Sequence, residues 1–172
     1  FDNENGLITS SFGNTELTIE NSEFGRNGVG DGQSHNLYVG HIARATIIGS
    51  RFHAANVGHL IKSRAHHNYI SYNLIYDGLG GKASYEVEFP NGGIVHLIGN
   101  VIGQSATTQN PVVVSYGAEG KAWPDNELIL SHNTLISDRL LGAWFLRIHK
   151  DKFPLPPKVL AVNNLTAGLG LS

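Results

Sequence analysis

Tyr69-Ile70-Ser71-Tyr72-Asn73-Leu74-Ile75 is a phrase that this chain repeats. Upstream it appears as Thr18-Ile19-Glu20-Asn21-Ser22-Glu23-Phe24 and Thr46-Ile47-Ile48-Gly49-Ser50-Arg51-Phe52. Downstream it returns as His96-Leu97-Ile98-Gly99-Asn100-Val101-Ile102, Ile129-Leu130-Ser131-His132-Asn133-Thr134-Leu135 and Val159-Leu160-Ala161-Val162-Asn163-Asn164-Leu165. Every copy has an aliphatic second residue, Ser or Asn fifth and a large apolar residue seventh. The copies begin at residues 18, 46, 69, 96, 129 and 159, so the spacing runs from 23 to 33. A period of that length marks a stack of similar units.

Within each copy the residues alternate inward and outward with the period of a strand. Ser or Asn then stands where the chain must bend, since Asn tolerates left-handed backbone angles and bonds its own backbone. Stacking places Asn73, Asn100, Asn133 and Asn163 in one ladder of amides, each able to donate and accept. A second strand precedes each phrase after the first: Leu37-Tyr38-Val39, Leu60-Ile61-Lys62, Tyr85-Glu86-Val87, Val113-Val114-Ser115 and Leu146-Arg147-Ile148. The gaps between the two strands vary, as surface loops of a solenoid do.

Short strands, polar bends and units of this size resemble the right-handed parallel β-helix, the fold of pectate lyases and their relatives. The likeness covers about residues 15 to 167. The expected class is all-β, a solenoid of about six coils forming a single domain over residues 1–172. Open coil ends expose unpaired backbone and apolar rungs, and no capping helix is legible at either terminus. The chain therefore reads as part of a longer protein, with flanking domains or oligomer partners over the ends.

Composition narrows the function classes. The net charge of -2 offers no basic footprint for nucleic acid. No apolar run approaches the roughly 18 residues of a membrane helix, so no membrane partner is expected. Cysteine is absent, which excludes disulfides and thiolate metal sites.

The polar residues gather on the second strand and its flanks. They are His35, Asn36 and Tyr38; His59, Lys62, Ser63 and Arg64; Ser84, Glu86 and Glu88; and Ser115, Tyr116 and Glu119. Only 15% of the chain is charged, so this concentration is notable. If Leu37 and Val39 point in, Asn36 and Tyr38 point out; likewise Lys62 and Arg64, and Ser84, Glu86 and Glu88. With coils about 4.8 Å apart, Tyr38, Lys62 and Glu86 are expected in one outward column, flanked by Arg64 and Glu88. The bland reading is a set of cross-strand ion pairs worth about 0.2–1 kcal/mol each.

The chemical reading is a site for an acidic sugar polymer. β-Elimination needs the uronate carboxylate neutralised, a base for the neighbouring C–H and an acid for the leaving oxygen. Lys62 serves as base if Arg64 lowers its pKa. Arg64 or Tyr38 is the acid or charge neutraliser, and His59 orients or substitutes for the base, with His35 and His53 as alternatives. His35, Asn36, Ser84, Glu86, Glu88, Tyr116 and Glu119 are the expected substrate contacts. Glu86 and Glu88, two apart on a strand, also suit calcium or the acid–base pair of a glycoside hydrolase.

Ile61-Lys62-Ser63, followed by Asn68-Tyr69-Ile70 and Asn73-Leu74-Ile75, resembles a segment of the alginate and chondroitin lyases of polysaccharide lyase family six. That resemblance implies a lysine base, here Lys62, an arginine acid and a calcium ion that neutralises the uronate. The family's arginine falls at a glutamate in this chain, so Arg64 would act from the same strand as Lys62. The expectation is a secreted, periplasmic or cell-surface bacterial polysaccharide lyase. The alternatives are a non-catalytic carbohydrate-binding or adhesin solenoid and a structural filament or tailspike segment.

Overall fold

The computed structural model describes residues 1–168. Among them, eighteen strands form three sheets of six, and every pairing is parallel. The first sheet stacks Leu7–Ile8, Leu37–Val39, Ile61–Ser63, Val87–Phe89, Val112–Tyr116 and Trp144–Ile148. The second stacks Glu16–Glu20, Arg44–Ile48, His67–Ser71, Ile94–Ile98, Glu127–Ser131 and Lys158–Val162. The third stacks Glu23–Gly25, Arg51–His53, Leu74–Tyr76, Val101–Gln104, Thr134–Ser137 and Leu165–Gly168. The chain visits the three sheets in turn and then climbs one rung, which makes a parallel β-helix of about six coils. One short 3-10 turn, Lys150–Lys152, is the only helical element among the described residues.

Each repeated phrase straddles two sheets. Its first residues run in the second sheet, and its apolar seventh residue lies in a strand of the third, where the sequence suggested only a return to the core. The bend between them uses the fourth residue. Asn21, Gly49, Tyr72, Gly99, His132 and Asn163 all have φ between 47° and 67°. This left-handed region costs a side chain about 1–2 kcal/mol, which explains Gly at two of these positions.

The fifth residue builds the ladder, with one correction. Leu130 pairs with Ala161, so the last phrase is one residue later than its sequence suggests and the ladder ends on Asn164, not Asn163. Two adjacent asparagines made the register ambiguous; Asn163 takes the left-handed bend instead. Asn73 Nδ2 donates to Asn100 Oδ1, Asn100 Nδ2 to Asn133 Oδ1 and Asn133 Nδ2 to Asn164 Oδ1, each at 3.0 Å. Each backbone N–H above donates to the same oxygen, and each Nδ2 also reaches a carbonyl of the preceding coil. Ser50 and Ser22 continue the column at the N-terminal end.

Inside the coils, identical positions stack into apolar columns. Ile47, Ile70 and Leu97 share one column and Phe52, Ile75 and Ile102 another, all fully buried. Each such side chain contributes about 1.5–3 kcal/mol relative to exposure. The result is a stack of coils whose outer walls carry the polar residues.

Candidate functional site

The outer wall of the first sheet carries the expected strip, in a different register. Tyr38 pairs with Lys62, Lys62 with Glu88, Glu88 with Ser115 and Ser115 with Arg147. The residue above Lys62 is thus Glu88, and the expected column through Glu86 is overturned. The reason lies at the corner where the chain enters this sheet. The fourth-coil strand begins at Val87, so Glu86 precedes it, as Asn36 precedes Leu37. At that corner strict alternation fails, and both residues lie fully inside. Asn36 donates to the His53 carbonyl and accepts from Asn27 Nδ2. Glu86 has no partner for either carboxyl oxygen, and burial, reinforced by Asp77, holds it well above the usual carboxylate range.

On the wall, the side chains form one continuous network. Lys62 Nζ lies 3.3 Å from Glu88 Oε2 and 2.9 Å from Glu119 Oε1. Arg64 takes the other oxygen of Glu119 at 2.7 Å. It also donates to Tyr38 Oη at 2.8 Å and to Asn91 Oδ1 at 2.9 Å. Glu88 Oε2 is 2.9 Å from His59 Nε2. Two cations meet two carboxylates, so the cluster is balanced in charge. Burial pushes both carboxyls upward, yet His59 and Lys62 draw Glu88 below its ordinary range, and Lys62 and Arg64 do the same to Glu119.

The histidines beneath this network have defined roles. A carboxylate only accepts, so His59 carries a proton on Nε2 to meet Glu88. The His59 backbone N–H donates to His35 Nδ1 at 3.0 Å, which fixes His35 as the Nε2–H tautomer. His35 is buried, and that burial, with His59 and the Lys62 ammonium close by, pushes its pKa down to about 3. It stays neutral and stacks on Tyr38 with ring centroids 5.7 Å apart.

Several expected contacts lie elsewhere. Tyr116 points inward, fully buried, and donates to the Gly93 carbonyl at 2.6 Å. Ser84 sits half-buried in the entry loop, its backbone N–H bonded to Gly58. Glu86 and Glu88 face opposite sides of the sheet, so they do not form one calcium- or acid–base pair on the wall. Among the described residues, no group of three or more His, Asp or Glu side chains is arranged to hold a metal.

Three participants were missed in the sequence. Glu119, which was anticipated, meets both Lys62 and Arg64 from a turn, whereas Asn91 meets Arg64 alone and was not. Trp123 stacks between His41 and His66, with centroids 3.7 and 4.5 Å away, and its indole N–H bonds the Arg64 carbonyl. His149 lies 3.4 Å from Ser115 Oγ, one coil along the same wall. These contacts come from loops, whose path no repeat period predicts.

No family model matches the chain, and comparison with curated proteins and with solved structures finds no match.

Proposed function

We propose that the wall of the first sheet binds an acidic polysaccharide and that the reaction run there is β-elimination at a uronate. The observation that carries this reading is the single carboxylate of Glu119, held between Lys62 and Arg64 through one oxygen each. Glu119 arrives on a turn and is 43% exposed, whereas the two cations are 13% and 20% exposed. A uronate carboxylate offered from solvent satisfies the same donors by displacing a surface side chain. The wall is straight and open along the rod, which suits a polymer more than a small molecule.

Once Glu119 is displaced, Arg64 neutralises the uronate and thereby acidifies the adjacent C–H. Tyr38, whose oxygen accepts from Arg64, is the group placed to take that proton, its own hydroxyl proton having first passed to solvent. The C–O bond then breaks as the C=C bond forms, and the Lys62 ammonium gives a proton to the leaving oxygen. These roles reverse the expected ones, because Lys62 still faces Glu88 as an ammonium and offers no lone pair. A secreted or periplasmic location fits such a substrate.

The test is incubation of the folded protein with a panel of polyuronates while ultraviolet absorbance of the unsaturated product is followed. Absorbance should rise with one polymer and be lost in Arg64→Ala and Tyr38→Phe. A flat trace with every polymer rejects elimination. Binding without cleavage is the second reading, favoured by the charge balance of the network. It predicts retardation in gels containing the polymer, with no product.

A further inference from the structure

We propose that residues 118–125 form a strap that closes over Lys62 and Arg64 in the free protein and lifts as one piece when an acidic polymer enters, with Trp123 as its latch. The inference rests on the reading of the wall as a polyuronate site.

The length of one corner sets the strap apart. Between the first and second sheets, the second, third and fourth coils spend only residues 40–43, 64–66 and 90–93. The fifth spends residues 117–126, ten where three or four suffice. The surplus runs back over the earlier coils, to Asn91 in the fourth, Arg64 in the third and His41 in the second. That reach is three rungs, about 14 Å.

Among the described residues no strand pairs with this segment; its ties are to corners and to the site. The Glu119 N–H donates to the Pro90 carbonyl at 3.0 Å and the Trp123 N–H to the Asn91 carbonyl at 3.1 Å. Asn91 Nδ2 donates to the Gly120 carbonyl at 2.7 Å, while its Oδ1 accepts from Arg64 at 2.9 Å. The Trp123 indole, stacked between His41 and His66, donates to the Arg64 carbonyl at 3.1 Å. Arg64 is therefore held to the strap by Glu119, by Asn91 and by Trp123.

The backbone suits a pivot. One foot is Gly117, at a φ of 84° that favours glycine. The other is Asn126, whose Oδ1 accepts from the Gly93 N–H at 2.9 Å. At the exposed tip Lys121 is held at a φ of 50°, a strain that a lifted strap is free to release. Charge couples the motion to the ligand. With the strap down, Lys62 and Arg64 face Glu88 and Glu119. Lifting it removes Glu119 and leaves one positive charge uncompensated, which draws the strap back unless an anion replaces it. A polyuronate binds only the open state and so shifts the population toward it.

Trp123 and Trp144 are the only tryptophans, so Trp144→Phe makes the latch the sole reporter without altering the strap. Alginate or polygalacturonate should shift Trp123 emission to longer wavelength, open it to iodide quenching and speed trypsin cleavage after Lys121 severalfold. The chain has no cysteine, so His41→Cys with Trp123→Cys allows a reducible crosslink that fastens the strap shut. Crosslinked, this double variant should lose polyuronate binding. Reduced, with its latch gone, it should bind severalfold more tightly than the wild type. A polymer that binds while Trp123 emission and Lys121 cleavage stay unchanged overturns the strap alone, as does a crosslinked form that binds as well as the reduced one. If neither the wild type nor the reduced variant binds any polyuronate, the reading of the wall fails and the strap falls with it.

Discussion

Lys62 Nζ stands 2.9 Å from Oε1 of Glu119, a residue 57 positions further along the chain. If that carboxylate occupies the place of a substrate carboxylate, removing its charge should help the ligand. Glu119→Gln is expected to tighten binding of a polyuronate severalfold, while Lys62→Ala and Arg64→Ala weaken it. Affinity electrophoresis or calorimetry at low salt gives the comparison, and added salt should erode all the differences because half-exposed pairs are screened. A Glu119→Gln variant that binds more weakly would mean that Glu119 organises the cations and does not compete for them.

The repeat carried the fold because stacking reads one residue in every coil. Ile70, Leu97 and their equivalents must all be apolar, and six copies make that visible. The site depended on where each strand begins, which the repeat does not record. A two-residue difference in the entry to the fourth coil moved Glu88 into the place expected for Glu86. Alternation named the outward parity correctly for Tyr38, Lys62 and Glu88, and failed for Asn36 and Glu86 at the corner. Trp123 and Asn91 arrive through loops of unequal length, for which the sequence has no periodic signal. Asn164 shows the same limit at one-residue scale, since its neighbour Asn163 fits the pattern equally well.

Glu86 makes stability depend on pH in a direction opposite to most carboxylates. Its folded pKa lies above its ordinary value of 4.5, mainly through burial. The folded state therefore binds the proton more tightly, and stability through this group falls as pH rises above 4.5. Asp77, pushed up to about 6 by burial, adds the same trend over a narrower window. Glu86→Gln removes the ionisation, and with it the repulsion from the buried Asp77 carboxyl. It should match the wild type in stability at mildly acid pH and exceed it by about 1–3 kcal/mol at neutral pH. Urea unfolding at several pH values decides the matter. A gap that does not grow with pH would show that Glu86 is compensated in the folded state.

His35 acts in the other direction. Its pKa falls from 6.5 to about 3 on folding, chiefly through burial. The unfolded chain therefore binds a proton that the folded one refuses, and stability is lost as pH drops below 6.5. His35→Gln, whose amide oxygen can still accept from the His59 N–H, should flatten the acid limb by about 1–2 kcal/mol. The readout is the slope of unfolding free energy between pH 6.5 and pH 3 compared with wild type. An unchanged slope would place the acid sensitivity in the ion pairs of Glu88 and Glu119, whose carboxylates lose their own charge in acid.

The amide ladder predicts a gradient of cost along the rod. Asn100 accepts two hydrogen bonds from Asn73 and donates to Asn133 and to the Ile70 carbonyl. Asn100→Ala strips partners from both neighbouring coils in a site without water access, at about 1–3 kcal/mol for each buried group left unpaired. Ser22→Ala, at the first coil, removes only a bond to its own Glu20 carbonyl and should cost under about 1 kcal/mol. Because each coil touches only its neighbours, the central change should also break the unfolding transition into two steps. Hydrogen exchange would then show protection lost first in the strands flanking Asn100. If Asn100→Ala instead lowers one cooperative transition no more than Ser22→Ala does, the apolar columns alone hold the stack together and the ladder serves only to set its register.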